Sequence, residues 1–398
     1  MAFSAHKDPE QLKEQNSTDE VLNAQADQLA ELIRSAKHFV AFTGAGISTS
    51  AGIPDFRGPD GVWTRRTQGR EAPRGVSTTS AMPTPTHMAL VALANSGHLK
   101  LLISQNCDGL HRRSGFPPDR LAELHGNSNL ELCSGCGLQY LRDFHVRTSG
   151  KVHEHQTGRA CPVCSGALLD SVVNFGESLP EKPMRMGFEH CHAADLVLCL
   201  GSSLTVTPAA NMPEEAAERG AKLVICNLQN TPLDSLSSLR IYGRTDELMT
   251  RVCSRLGIQL PAWQLRRRLR VDVHQPTGDE KGDKSALVAT FGCVEADNTP
   301  ATVFQKLSVH LVQDGNREAK EILLGDFDRR TCARSTEFQV RLPQSLPCKV
   351  TLAMTFMGHY GEPGLNLTLS LTQPCRYAKQ PILMLFDPRL QRWSCEGV

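Results

Sequence analysis

Apolar and polar positions follow two different rhythms along this chain. In the first two thirds, short unbroken apolar runs each end in a polar signature. Phe39–Phe42 runs into Thr43-Gly-Ala-Gly46, and Leu101–Ser104 into Gln105-Asn-Cys-Asp108. Leu196–Leu200 runs into Gly201-Ser-Ser203, and Leu223–Cys226 into Asn227-Leu-Gln229. Helical patterns at His87–Ala94 and Glu214–Arg219 lie between them. Another helical pattern precedes the first run, with Leu22, Ala26, Leu29, Ile33 and Ala36 at helical spacing behind a Ser17/Glu20 capping-box pattern. Continuous apolar strands alternating with helices predict an α/β fold with a doubly wound, parallel, Rossmann-like sheet. In such sheets ligands sit at the carboxyl ends of the strands, where all four signatures fall.

The last third changes to period two. Leu307, Val309 and Leu311 alternate with polar neighbours. So do Phe338, Val340 and Leu342, then Val350 to Phe356, then Leu365 to Leu371. This predicts an antiparallel β domain over 285–398 with one wet face. The polar, Gly- and Pro-containing stretch before it, with the basic cluster Leu265–Arg270, reads as a basic linker over 265–284. That cluster suits either a phosphate-contacting or import patch or a solvated helix end. Residues 1–17 read as a flexible N-terminus and 18–264 as the principal domain.

Within that domain, 128–171 breaks the α/β rhythm. Cys133-Ser-Gly-Cys136 and Cys161-Pro-Val-Cys164 are paired knuckles at zinc-ribbon spacing. Four thiolates close a tetrahedral site and leave no position for water, so the expected metal is one structural zinc ion in an inserted module. His153 and His155 lie between the knuckles as competing donors.

Composition narrows the picture modestly. The chain has 398 residues, a net charge of +1 and 14 cysteines. That charge gives no global electrostatic case for nucleic acid. No apolar run has membrane-spanning length and no secretory segment is visible, so the expectation is a soluble, intracellular protein with no membrane partner. Direct nucleic-acid contact stays open only through a local patch.

The chemistry concentrates at Thr43–Trp63. Gly44 and Gly46 let backbone N–H groups approach a diphosphate, although a tight structural turn explains a bare Gly-Ala-Gly equally well. Gly52-Ile-Pro-Asp-Phe-Arg-Gly58 adds Asp55, Phe56 and Arg57 beside the loop. Together these residues resemble the NAD-binding loop of the sirtuin family of NAD-dependent protein deacylases. The other motifs arrive in that family's order: Gln105-Asn106-Cys-Asp108, His125-Gly-Asn127 ahead of the first knuckle, Gly201-Ser202-Ser203, and Asn227. The likeness runs from about residue 20 to about 263. The class IV branch, with the sixth and seventh mammalian sirtuins, is the nearest in pattern, because Trp63 follows Arg57 so soon.

The resemblance implies NAD as cofactor, held by Gly44, Ala45, Gly46, Thr49, Asp55, Phe56, Arg57, Trp63, Gln105, Asn106, Gly201, Ser202, Ser203, Asn227, Gln229 and Thr245. It implies His125, Asn106 and Asp108 as catalytic residues. Val173, Asn174, Phe175 and Gly176 would bind an extended acylated peptide. The implied reaction releases nicotinamide and transfers the acyl group from lysine to ADP-ribose, with His125 as the base and Phe56 shielding the reacting centre from water. Histone tails on chromatin and a nuclear location follow from the class IV likeness, with the cytoplasm as the alternative. The long basic tails of the mammalian members are absent, and a β-patterned segment stands in their place. Protein mono-ADP-ribosyl transfer and a non-catalytic NAD- or acyl-peptide-binding module are competing readings. A hydride-transfer dehydrogenase fits less well, since no acidic residue at a strand end is placed to hold the adenosine ribose.

Overall fold

The computed structural model describes residues 12–275, 287–312, 320–326, 336–342, 348–372 and 381–397. These residues form two compact units. The first is 1–128, 151–153 and 171–263, and the second is 129–150, 154–170 and 264–398.

The first unit is built on a six-stranded sheet. Its strands run in the order Leu239–Ile241, Lys222–Cys226, Leu196–Leu200, Phe39–Thr43, Leu99–Ser104 and Leu121–Glu123. Every neighbouring pair is parallel. The strands Phe39–Thr43 and Leu196–Leu200 are buried at every residue, as expected of a sheet covered on both faces. One core joins Leu22, Ala26, Leu29 and Ile33 of the helix Asp19–Ser35 to Phe39, Leu198 and Val224. A second joins Val40, Phe42, Ile103, Val197 and Ile225. Successive residues of one strand, such as Phe39 and Val40, thus serve opposite faces.

The four apolar runs are all strands of this sheet. Two further strands, Leu121–Glu123 and Leu239–Ile241, were hidden by their length of three residues. The stretch before His125 is therefore a short strand. The first helix is capped by Thr18, whose side chain accepts from the Val21 N–H, so the cap lies one residue beyond Ser17. Of the N-terminal stretch expected to be flexible, residues 1–11 lie outside the described residues. Gln15 and Ser17 bond through their backbone N–H groups to the carbonyls of Leu228 and Tyr242 at 2.8 and 2.7 Å.

Among the described residues the second unit is all β. A ten-stranded sheet carries both the cysteine segment and most of the C-terminal strands. The cysteine strands Gln156–Ala160, Ala167–Asp170, Leu130–Cys133 and Gln139–Arg142 lead into Pro300–Thr302, which pairs in parallel with Gln139–Arg142 through Ala301 and Leu141. The sheet continues through Val288–Val294, Leu265–His274, Ile382–Asp387 and Arg392–Glu396, with Glu337–Arg341 also on Val288–Val294. A separate four-stranded sheet of Lys320–Asp326, Phe304–Val312, Cys348–Phe356 and Leu365–Leu371 shares its core: Val271, Phe291 and Met384 of one sheet pack in one cluster with Val309, Leu352 and Leu369 of the other. Residues 129–150 and 154–170 thus group with the C-terminal strands.

The expected basic linker is corrected over its first half. Leu265–His274 is a ten-residue strand with strictly alternating burial, while 276–284 lie outside the described residues. Arg267 occupies an inward position, which breaks the apolar pattern that would have marked a strand. Its charge is matched by Asp143, with Arg267 Nη2 donating to Asp143 Oδ2 at 2.6 Å.

Candidate functional site

The polar signatures of the first unit converge at the carboxyl ends of its strands. The Gly44 N–H donates to the Leu200 carbonyl at 3.0 Å, and the Gly46 N–H to the Gly201 carbonyl at 2.8 Å. The approach is so close that only glycine fits. A Cβ on Gly44 would lie 2.7 Å from the Gly201 oxygen, and one on Gly46 would lie 2.7 Å from the Gly201 Cα. Gly201 itself has φ of +59°, in the left-handed region. The result is a bare, tightly turned backbone at the carboxyl ends of these strands.

The Gln105–Asp108 segment ties that loop to its neighbours. Asn106 Nδ2 donates to the Gly44 carbonyl at 3.0 Å, and Gln105 Nε2 to Ser202 Oγ at 2.7 Å. Asp108 accepts from Ser48 Oγ at 2.7 Å and from the Leu110 N–H at 2.9 Å. It is buried and bonded to residues of the loop and of the helix that follows. Thr49 Oγ1 donates to the Gly46 carbonyl, and Ser203 Oγ lies 2.9 Å from Thr205 Oγ1. Ala45 accepts the Ser48 N–H through its carbonyl.

His125 follows directly on this network. Its Nδ1 is 2.8 Å from the Gln105 carbonyl oxygen. A carbonyl only accepts, so Nδ1 carries the hydrogen of the neutral ring and Nε2 keeps its lone pair. Burial pushes the imidazole's pKa below its ordinary value, and the bond to Gln105 partly opposes that. The Val173 N–H in turn donates to the His125 carbonyl at 3.1 Å. Val173–Gly176, expected to bind an extended peptide, lies outside the assigned strands. Asn174 is bound by Glu177, through its backbone and its amide, and Gly176 turns with φ of +88°.

An aromatic group flanks the loop. Trp63 packs on Phe56 with ring centroids 4.8 Å apart and on Phe175 at 5.2 Å. The Arg57 guanidinium lies over the Trp63 ring, 4.4 Å from its centroid. Burial lowers the Arg57 pKa to about 10, so the group stays cationic at neutral pH. Asp55 accepts the Gly58 N–H, and desolvation raises its pKa. Further along, Gln229 Nε2 donates to the Arg57 carbonyl at 3.3 Å, and Asn227 Nδ2 to the Gln229 carbonyl at 2.9 Å. Thr245 accepts from Thr86 Oγ1. Sequence reasoning had passed over Ser48, Thr43, Thr84, His87 and His111. The first two stand inside the glycine motif itself, and His111 three residues after Asp108.

In the second unit the four predicted cysteines come together. The Sγ atoms of Cys133, Cys136, Cys161 and Cys164 all lie within 4.8 Å of one another. A tetrahedron of thiolates with bonds of about 2.3 Å has edges of about 3.8 Å, so the group is sized to bind one metal ion. Cys133 Sγ accepts N–H groups from Gly135 and Cys136, and the buried Tyr140 hydroxyl lies 3.1 Å from Cys161 Sγ. His155 is turned to Asp170 at 3.3 Å instead.

The sequence profile of the Sir2 family matches residues 70–208. An Arabidopsis thaliana protein named NAD-dependent protein deacetylase SRT1 is 46% identical over 328 residues, spanning 80% of this chain and 68% of its own. That match reaches past residue 263 into the β-rich part of the chain. The Drosophila melanogaster protein NAD-dependent protein deacetylase Sirt6 is 43% identical over 254 residues, covering 62% of this chain and 80% of its own. Human NAD-dependent protein deacetylase sirtuin-7 is 41% identical over 252 residues, covering 61% and 63%. A solved structure described as Sir2-p53 peptide-NAD+ aligns with a TM-score of 0.46 at 30% identity, covering 58% of this chain and 98% of that one. Identity of 46% sustained over 68% of the Arabidopsis protein is kinship of sequence and not of fold alone, and the chain belongs to the Sir2 family, the sirtuins.

Proposed function

We propose that this chain is an NAD-dependent protein-lysine deacylase, acting as a deacetylase on acylated lysine in proteins or peptides. One continuous set of bonds carries the reading. His125 Nδ1 is fixed on the Gln105 carbonyl, and Asn106, the next residue, is fixed on Gly44 of the glycine loop. A neutral base with a bare Nε2 is thereby held in register with a loop shaped for a diphosphate. The names of the relatives, all NAD-dependent protein deacetylases, agree with it.

NAD, when bound, supplies an activated glycosidic carbon and nicotinamide as leaving group. Gly44, Ala45, Gly46 and Gly201–Ser203 would hold its diphosphate. Asn106 and Asp108 would orient the ribose and carboxamide, and Phe56 and Trp63 would exclude water. His125 Nε2 takes a ribose hydroxyl proton as general base. The segment Val173–Gly176 would receive the acyl-lysine peptide. The four cysteines would hold one structural zinc ion, since four thiolates leave no open position for catalysis. The class IV likeness extends the reading to histone tails on chromatin and to the nucleus.

The test is nicotinamide release from NAD by the purified protein and by His125→Ala, with and without an acetyl-lysine peptide followed by mass spectrometry. Peptide-dependent release with loss of the acetyl group, absent in the variant, is expected. ADP-ribosylated protein without peptide turnover would establish the transferase instead. NAD binding without any turnover would leave a binding module. Nucleosomal substrates and microscopy of the tagged chain decide the chromatin and nuclear parts.

A further inference from the structure

Two histidines with no part in that reading are packed together in the first unit. His87 and His111 are 0% and 2% exposed. Their ring centroids are 4.8 Å apart, with the planes tilted at 49°.

Each ring is tied to one end of the glycine loop through a threonine hydroxyl, and His87 Nδ1 also lies 3.3 Å from the Thr84 backbone nitrogen. His111 Nε2 lies 3.0 Å from Thr43 Oγ1, and Thr43 is the residue that leads into Gly44. His87 Nδ1 lies 2.8 Å from Thr84 Oγ1, which donates to the Ile47 carbonyl at 2.9 Å. Ile47 closes the turn Ala45–Ile47. The loop is thus strapped where it starts and where it ends. The second nitrogen of each ring, His87 Nε2 and His111 Nδ1, has no hydrogen-bond partner among the described residues. Charging either ring would bury an N–H cation with nothing to receive its proton, a costly state. Burial holds both rings far below the ordinary pKa, at about 3, so they are neutral.

Two buried imidazoles are expensive if their only task is to fill volume, since a phenyl ring would do that without orphaned nitrogens. We propose that His87 and His111 are positioning residues for the cofactor, a neutral ring pair that fixes Thr43 and Ile47 and so sets the glycine loop in the shape that receives NAD. The proposal rests on the reading above that this loop holds NAD.

The variants follow from which nitrogen bonds. His87→Phe and His111→Phe keep the aromatic packing and remove the bonds. An asparagine amide stands near the place of a histidine Nδ1, and a glutamine amide near the place of Nε2. His87→Asn and His111→Gln therefore restore the strap, whereas His87→Gln and His111→Asn misplace it. The readouts are NAD affinity by calorimetry, KM for NAD and for an acetyl-lysine peptide, and Tm.

The Phe variants are expected to weaken NAD binding roughly tenfold, as loss of one buried hydrogen bond does, with the peptide KM changed by less than about twofold. The matching amide should recover most of that loss and the mismatched amide should not. The proposal is overturned if folded Phe variants bind NAD like the wild type. It is also overturned if affinity follows Tm alone, or if the two amides at one position behave alike. Where a Phe variant does not fold, the comparison between the two amides decides. Wild-type binding separates the two readings: a wild type that binds no NAD sinks the deacylase assignment, while a wild type that binds alongside indifferent variants sinks only the strap.

Discussion

The Nδ1 of His125 stands 2.8 Å from the carbonyl oxygen of Gln105, and this one bond settles which nitrogen of the ring can take a proton. The neutral ring donates from Nδ1 and is basic at Nε2. Burial disfavours the charged ring and lowers its pKa from 6.5, with the Gln105 bond partly opposing. A base works in its neutral form, so turnover should be lost only as pH falls below about 6.5. A kcat profile at saturating NAD and peptide checks this. An acid limb centred above that pH would mean that another group is the base. His125→Ala should lower kcat by about 100-fold or more, the usual worth of a positioned base.

A second prediction concerns the loop. In Gly46→Ala the new Cβ would meet the Gly201 Cα at 2.7 Å and its oxygen at 2.9 Å. Both are backbone atoms and cannot swing aside. The turn at Gly201–Ser203 must move, and overpacking of this kind costs about 1–3 kcal/mol. The Kd for NAD should rise at least about tenfold, since both walls of the cradle are displaced. Calorimetric binding together with Tm separates the two effects. An unchanged Kd would place the diphosphate elsewhere.

Metal removal should be felt beyond the cysteines. Gln139–Arg142 lies in the same sheet as Pro300–Thr302, and Arg142 Nη1 donates to Thr302 Oγ1 at 2.6 Å. Four thiols without their ion repel as they ionise, and a closed thiolate site contributes folding energy directly. Metal analysis should find one zinc per chain. After stripping, backbone amide exchange should accelerate at Leu141, Ala301 and Thr302. The strands Cys348–Phe356 and Leu365–Leu371, which belong to the other sheet of this unit, should change less. Uniform protection before and after removal would show that the ion is dispensable to this sheet.

How far these features were legible depended on whether the pattern of a segment was local. Unbroken apolar runs such as Leu196–Leu200 identified buried parallel strands, and the cysteine spacing identified the metal-binding group. The three-residue strands Leu121–Glu123 and Leu239–Ile241 carry too little periodicity to be seen. The strand Leu265–His274 was misread because Arg267 sits at an inward position, and Asp143, which neutralises it, is far away in sequence. The same holds for the site. Gly44, Gln105 and His125 stand in recognisable segments, but His87 and His111 acquire meaning only from hydroxyls on Thr84 and Thr43. Nor does spacing foretell that the cysteine segment and the C-terminal strands share a sheet.

The buried histidines also make an acid-stability prediction. Their folded pKa, about 3, lies below the unfolded value of about 6.5. The unfolded chain therefore binds protons that the folded one refuses. The stability in question is complete above pH 6.5 and is lost as pH falls toward 3. At pH 5 each ring would cost on the order of 2 kcal/mol. Unfolding curves between pH 7 and 5 should be steeper in pH for the wild type than for His87→Asn or His111→Gln, which carry no titrating group there. Parallel curves would mean that the rings are charged, or reached by water, in the folded state.

The last prediction turns on Glu131, whose carboxylate is fully buried between two guanidinium groups. Arg142 Nε donates to it at 2.7 Å and Arg159 Nε at 2.5 Å, and the side chain of Arg142 is itself only 1% exposed. A buried ion pair of this sort is weak evidence of net stabilisation, because desolvation opposes the Coulomb attraction. Removing one partner is a different matter, since a charge is then left in a medium that cannot solvate it. Glu131→Leu should lower the unfolding free energy of the second unit by about 3–5 kcal/mol, because it leaves the Arg142 and Arg159 guanidinium groups without their shared carboxylate. The triple variant Glu131→Leu with Arg142→Met and Arg159→Met should lose less than the sum of its single changes, because no charge remains stranded. The fluorescence of Trp393, which packs on Phe356 and Phe386 in this unit, would report the transition in a background where Trp63 and Trp263 are replaced by Phe. A cost below about 1 kcal/mol for Glu131→Leu would be the behaviour of a solvent-screened surface pair, and would contradict the burial on which the argument stands.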